Sequence, residues 1–239
     1  MNWPASETSE VVRSPALARF LALISPRPTA ELLDLGPGIG PNIAFFGERI
    51  RCKIHVEDLY ADLDRHVERG TLDRLPKFLT TRLPRPDQSI DAALCWDLFD
   101  YLDAAAATVL AGELIRLLKP GGALLVFFST VASDERGYRR YIIEDEEHIR
   151  YRSYPGACPR QRVLENRDIV KLFDRLRVSD SILLKSQLRE IVFRKPGPAG
   201  QREPRPAAVA VDRGITSRAW RGSPGRPESP GPSRPGPDR

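Results

Sequence analysis

Short apolar runs and helical stretches alternate along the first 195 residues. Residues 31–35 (ELLDL), 53–57 (KIHVE), 91–96 (DAALCW) and 123–128 (ALLVFF) read as buried strands, and residues 77–82 (KFLTTR) as a weaker one. Between them, residues 16–24, 41–49, 60–69 and 104–118 carry helical patterns. Ser14 before Pro15 and Asp103 before an alanine run are N-cap signals, and Lys119-Pro120-Gly121-Gly122 stops the long helix. Continuous apolar strands alternating with helices predict a parallel sheet covered on both faces.

The pattern changes after residue 128. Residues 129–165 are irregular and charged, and His148 in the run Glu144-Asp145-Glu146-Glu147-His148 is expected on a solvated acidic helix face. Asn166 is placed to cap a helix over residues 167–176. Two strand-like runs follow, residues 178–185 and 188–194. The tight turn joining them is too short for a parallel crossover, so the pair is antiparallel.

Composition changes at Pro196. Residues 197–239 hold 9 Pro, 7 Gly, 8 Arg, no Lys and 4 acidic residues. Such a segment cannot bury enough apolar surface to offset chain entropy and is expected to be disordered. The chain is therefore divided into a folded domain, 1–196, and a tail, 197–239. The folded part carries 29 basic and 28 acidic residues, so most of the net charge of +5 belongs to the tail. A near-neutral domain gives no support for a nucleic-acid partner. No run is long enough for a transmembrane helix and no signal peptide is read. Cys52, Cys95 and Cys158 form no C-x-x-C pair, so neither a disulfide framework nor a metal site is expected, and a cytoplasmic location is.

The chemistry concentrates in Leu33-Asp34-Leu35-Gly36-Pro37-Gly38-Ile39-Gly40. Glycines after a first strand let the backbone turn and approach a ligand, and the following helix presents free N–H groups. A dinucleotide fingerprint requires a third glycine where Pro41 stands, which argues against a nicotinamide-dependent oxidoreductase.

Glycines at 36, 38 and 40, with Asp34 two residues before the first, resemble the class I S-adenosylmethionine-dependent methyltransferases. The segments 89–97 and 117–126 continue that resemblance in order and spacing. It implies a three-layer Rossmann-like α/β sandwich with a seven-stranded, mostly parallel sheet ending in an antiparallel hairpin. It implies S-adenosylmethionine as cofactor, held by Asp34, Gly36, Pro37, Gly38 and Gly40. Glu57 or its neighbour Asp58, at the end of the second strand, would grip the ribose diol, because a carboxylate offers two acceptor oxygens. The family often places an acid after the third strand for adenine. Here residues 78–83 hold none, and a backbone carbonyl or Thr80 is the substitute.

Asp97, just after the fourth strand, is the candidate catalytic residue, with Asp100, Tyr101 and His148 as further acid–base groups. The tyrosines and arginines of residues 129–165 suit a lid over an anionic or planar acceptor. The leading reading is in-line methyl transfer to a small molecule. The alternatives are a non-catalytic S-adenosylmethionine-binding or interaction module on the same fold, and a nucleic-acid or protein methyltransferase that uses the tail for capture. The acceptor and the oligomeric state stay open.

Overall fold

Alternation along each strand sends side chains to two separate cores, and that alternation fixes the layers. The computed structural model describes residues 10–27, 29–132, 137–161 and 163–197, all within one compact unit, Met1–Pro204. The strands are β1 (Glu10–Arg13), β2 (Glu31–Asp34), β3 (Lys53–Val56), β4 (Ile90–Trp96), β5 (Leu118–Ser129), β6 (Tyr138–Ile143), β7 (His148–Tyr154), β8 (Arg177–Leu183) and β9 (Leu188–Arg194). The helices are α1 (Pro15–Ile24), α2 (Gly40–Ala44), α3 (Leu59–Glu68), α4 (Leu75–Arg82), α5 (Ala104–Leu117) and α6 (Asn166–Leu172); α2 continues as a π-helical turn over Phe45–Arg49.

The central sheet has the order β3-β2-β4-β5-β9-β8. The pairs β2–β3, β2–β4 and β4–β5 are parallel, and β9 is antiparallel to both β5 and β8. On one face Leu33, Leu35, Ala93, Cys95, Leu124 and Val126 pack with residues of α3, α4, α5 and α6. On the other Leu32, Ala92, Leu94, Trp96, Leu125 and Phe127 pack with α1, Phe45 and Phe46. This is the expected three-layer Rossmann-like arrangement.

The central sheet holds six strands instead of seven, because residues 75–82 form a helix. Leu75 and Leu79 are the buried positions of α4, four residues apart, while Lys77, Thr80 and Thr81 face outward. That spacing is a helical stripe, and it overrides the strand-like look of Phe78-Leu79-Thr80. Ser14 accepts the Leu17 N–H and Asp103 accepts the Ala106 N–H, as their capping role requires. Glu165, not Asn166, is the N-cap of α6, and the helix stops at Leu172.

Two strands, β6 and β7, occupy the stretch expected to be irregular. They pair antiparallel, and β1 adds to the outer side of β7, giving a second sheet β1-β7-β6. His148 therefore opens a strand instead of lying on a helix; it is half-exposed and bonds the Asp145 side chain in the hairpin turn. The proposed tail from residue 198 onward lies outside the described residues. Among those described, no helix is long and apolar enough to cross a membrane.

Candidate active site

The strand order reverses between β2 and β4: the chain passes from β2 outward to β3, then returns to the other side of β2. In open α/β sheets such a switch point leaves a crevice beyond the carboxyl ends of the two strands. Asp34 closes β2 there and Trp96 closes β4. The glycine loop begins directly after β2.

Asp34 is buried. Its Oδ1 accepts the Gly36 N–H at 2.9 Å and the Trp96 Nε1–H at 2.7 Å. Burial pushes its carboxyl up to about 6, against the pull of those two donors. Gly36 lies directly against the indole: a Cβ there would stand 2.6 Å from Trp96 Cδ1 and Nε1. At Gly38 a Cβ would make only an ordinary 3.7 Å contact with Val56, and at Gly40 it would meet nothing. Trp96 itself has φ of +50°, an uncommon conformation for a bulky side chain, costing roughly 1–3 kcal/mol.

Glu57 follows β3, and its N–H donates to the Asp34 carbonyl. Its carboxylate is ion-paired: Arg82 Nη1 reaches Oε2 at 2.6 Å and Arg85 Nη2 reaches Oε1 at 3.4 Å. Arg82 also bonds the buried Asp62 of α3. The end of α4 thus delivers the Arg82 guanidinium between Glu57 and Asp62. Thr80 is exposed, and its hydroxyl donates to the Lys77 carbonyl. Asp58 is committed to capping α3 through the Ala61 N–H.

Asp97 lies fully buried after β4. Its Oδ1 accepts the Tyr60 hydroxyl at 2.9 Å and its Oδ2 accepts Arg160 Nη2 at 3.2 Å. Asp100 Oδ2 accepts the Ser129 N–H at 2.9 Å and stands 4.0 Å from Arg160 Nε, while its buried Oδ1 has no partner among the described residues. Burial, with the Asp97 charge added, pushes the Asp100 carboxyl up to about 8. Tyr60, Tyr101 and Tyr138 meet edge to face, with centroids 4.9–6.0 Å apart. Arg160 was not singled out by the sequence, because an arginine in a Pro- and Gly-rich stretch carries no periodic signal.

The β6–β7 hairpin roofs this cluster. Asn42, just beyond the glycine loop, donates to the Tyr141 carbonyl at 2.9 Å and accepts the Ile143 N–H at 2.8 Å. Tyr138 donates to Asp64 of α3 and accepts the Cys158 N–H. The Tyr141 ring stacks on Trp96, with centroids 5.2 Å apart and planes at 5°. The aromatic and arginine content expected of a lid is present, with the rings turned inward.

A family model described as Methyltransferase domain matches residues 12–175, more than half of the chain. The chain belongs to the class I S-adenosylmethionine-dependent methyltransferases. Its cofactor is S-adenosylmethionine. No curated protein matches the chain. Similar solved structures include the 1,6-didemethyltoxoflavin-N1-methyltransferase of Burkholderia thailandensis, with 19% identity, 76% of this chain and 79% of that one covered, and a TM-score of 0.45. The [4+2]-cyclase SpnF has 16% identity, coverage of 75% and 81%, and a TM-score of 0.45. The glycopeptide N-methyltransferase MtfA has 15% identity, coverage of 76% and 95%, and a TM-score of 0.44.

The crevice residues of this methyltransferase fit the cofactor's chemistry. Gly38 and Gly40 leave backbone that a ligand can approach closely. Asp34 offers a buried carboxylate whose Oδ2 carries no hydrogen bond among the described residues. Glu57 uses one interaction on each oxygen, and an ionised carboxylate has about four lone-pair sites.

Proposed function

We propose that this methyltransferase alkylates a small protic molecule held between the strand ends and the β6–β7 hairpin. The observation that carries this reading is the buried polar group of Tyr60, Asp97, Asp100 and Arg160 beneath the hairpin. A roofed, side-chain-lined site suits a small acceptor better than a polymer.

When bound, S-adenosylmethionine supplies a sulfonium methyl, which needs an aligned nucleophile and a destination for its proton. Gly36, Pro37, Gly38 and Gly40 form the backbone cradle. Asp34 would meet the cofactor's ammonium group, and Glu57 would take the ribose diol, held in place by Arg82 and Arg85; Asp58 caps the following helix. Asp97, the residue first singled out for catalysis, fixes Tyr60 and Arg160 through both its oxygens. Asp100 lies beside Arg160 with a buried Oδ1 that has no partner among the described residues, and in its ionised form it would accept the acceptor's proton as the new bond to carbon forms. Arg160 lies between the two carboxylates and orients an anionic or polar acceptor.

The test is a screen of phenols, heterocyclic amines and small carboxylates with the full chain and S-adenosylmethionine, reading S-adenosylhomocysteine by mass spectrometry. Turnover with a small molecule that drops at least a hundredfold in Asp100→Asn supports the reading. Turnover only with protein or nucleic acid, or an active Asp100→Asn, overturns it.

A further inference from the structure

At the switch point the space over Gly36 is taken by one of the protein's own side chains. The Trp96 indole lies over Gly36 with no room for a ligand atom between them, since even a methyl carbon on Gly36 would come within 2.6 Å of the ring. Its Nε1–H bonds Asp34 Oδ1, so an indole donor satisfies the carboxylate that faces the crevice. The ring is also sandwiched, parallel to Tyr141 on one side and edge-on to Phe127 at 5.8 Å.

We infer that the Trp96 indole and S-adenosylmethionine compete for the space above Gly36, so that cofactor binding requires the indole to leave Asp34 and Tyr141. This rests on the cofactor site proposed above. The ligand's ammonium group, which S-adenosylmethionine and S-adenosylhomocysteine share, would replace a neutral N–H at Asp34 with a charge-assisted bond, which supplies the exchange. The left-handed backbone at Trp96 marks a residue held against its own preference. Tyr141 is bound through its carbonyl to Asn42, two residues beyond Gly40. Glycine loop, indole and hairpin therefore form one connected element, and the ring's departure loosens the roof over the acceptor site. Apparent affinity is lowered by the fraction of molecules in which the indole is out.

Calorimetry on the full chain with S-adenosylhomocysteine tests this in wild type, Trp96→Phe and Trp96→Ala. Affinity should rise at least tenfold in Trp96→Ala and by less in Trp96→Phe, which keeps a ring but loses the N–H. A second measurement uses a Trp3→Phe/Trp220→Phe background, in which Trp96 is the sole indole. Its emission should shift to the red on addition of S-adenosylhomocysteine, and this reading decides alone if Trp96→Ala does not fold. Unchanged or weaker binding by a folded Trp96→Ala, or an unshifted emission at saturating ligand, would make the indole a fixed wall and overturn the competition. Absence of binding in every variant overturns the cofactor site itself and the competition with it.

Discussion

Replacing Asp34 by Asn separates what the carboxylate does for the fold from what it does for the ligand. The buried carboxyl has its proton affinity raised from 3.8 to about 6. The native state therefore binds more protons than the unfolded chain between those values, and wild-type stability falls as pH rises through about 6, then stays level. At pH 5, one unit below the folded value, the group still contributes about 1.4 kcal/mol that is lost by pH 8. Asn keeps an oxygen for the Gly36 and Trp96 donors and has no proton to lose, so this dependence disappears. The stability of Asp34→Asn relative to wild type should rise by about 1.4 kcal/mol from pH 5 to pH 8. In urea melts that is a relative midpoint change of roughly 0.5–1 M. Affinity for S-adenosylmethionine should move the other way, falling about tenfold to hundredfold with the loss of a charge-assisted contact. Parallel pH profiles for the two proteins would refute the buried-charge account, and undiminished affinity would remove Asp34 from the ligand site.

Three further substitutions probe the surroundings. Asn42→Ala leaves the buried Ile143 N–H and Tyr141 carbonyl without their partner; it should cost about 2–4 kcal/mol and speed amide exchange at Ile143, and unchanged exchange would show that the hairpin holds without it. Arg160→Ala strands Asp97 and Asp100 together and should destabilise by about 3–5 kcal/mol in chemical denaturation at pH 8, where a loss below about 1 kcal/mol would contradict the pairing. Glu190, buried against the start of α1, has its carboxyl raised from 4.5 to about 7, so it too binds more protons in the native state and favours acid conditions. Glu190→Gln should flatten about 2.5 kcal/mol of the fall in stability between pH 5 and pH 8, and a profile as steep as wild type would refute this.

The middle of the central sheet was readable because β2, β4 and β5 are buried on both faces and show as apolar runs. Caps were readable for a related reason: Ser14 and Asp103 act through bonds to residues three positions away. The second sheet was not, because its strands break the usual alternation. In β6 the buried positions are Tyr138, Tyr141 and Ile143, and arginine stems cover the rings instead of aliphatic neighbours; Arg139 lies over Tyr151 and Arg140 over Tyr154. The run 77–82 misled because six residues cannot separate a strand from a short helix; burial at Leu75, upstream of the run, decides it. The loop glycines and the two strand-end acids stood out because motif spacing is local. Arg160 and Asp100 meet across 60 residues, and no local pattern records that contact.

The three loop glycines, alike in sequence, owe their lack of a side chain to different neighbours. Gly36 is required by the fold as it stands, since any Cβ collides with the Trp96 indole. Gly38 and Gly40 are not: neither has a positive φ, and neither has a close neighbour. An alanine at 40 is therefore free of folded-state clash and lowers the entropy of the unfolded chain, which is worth about 0.4–1 kcal/mol of added stability. If Gly40 stands bare to admit a ligand, Gly40→Ala should melt at the same or a higher temperature while binding S-adenosylhomocysteine at least tenfold more weakly. Gly36→Ala should lose stability instead, and should lose less when made in a Trp96→Ala background, because the two side chains contend for one volume. Calorimetry and thermal melts on the three variants read both quantities. Full affinity in Gly40→Ala would show that the ligand stays clear of that position, and the cradle would then reduce to Gly36 and Gly38.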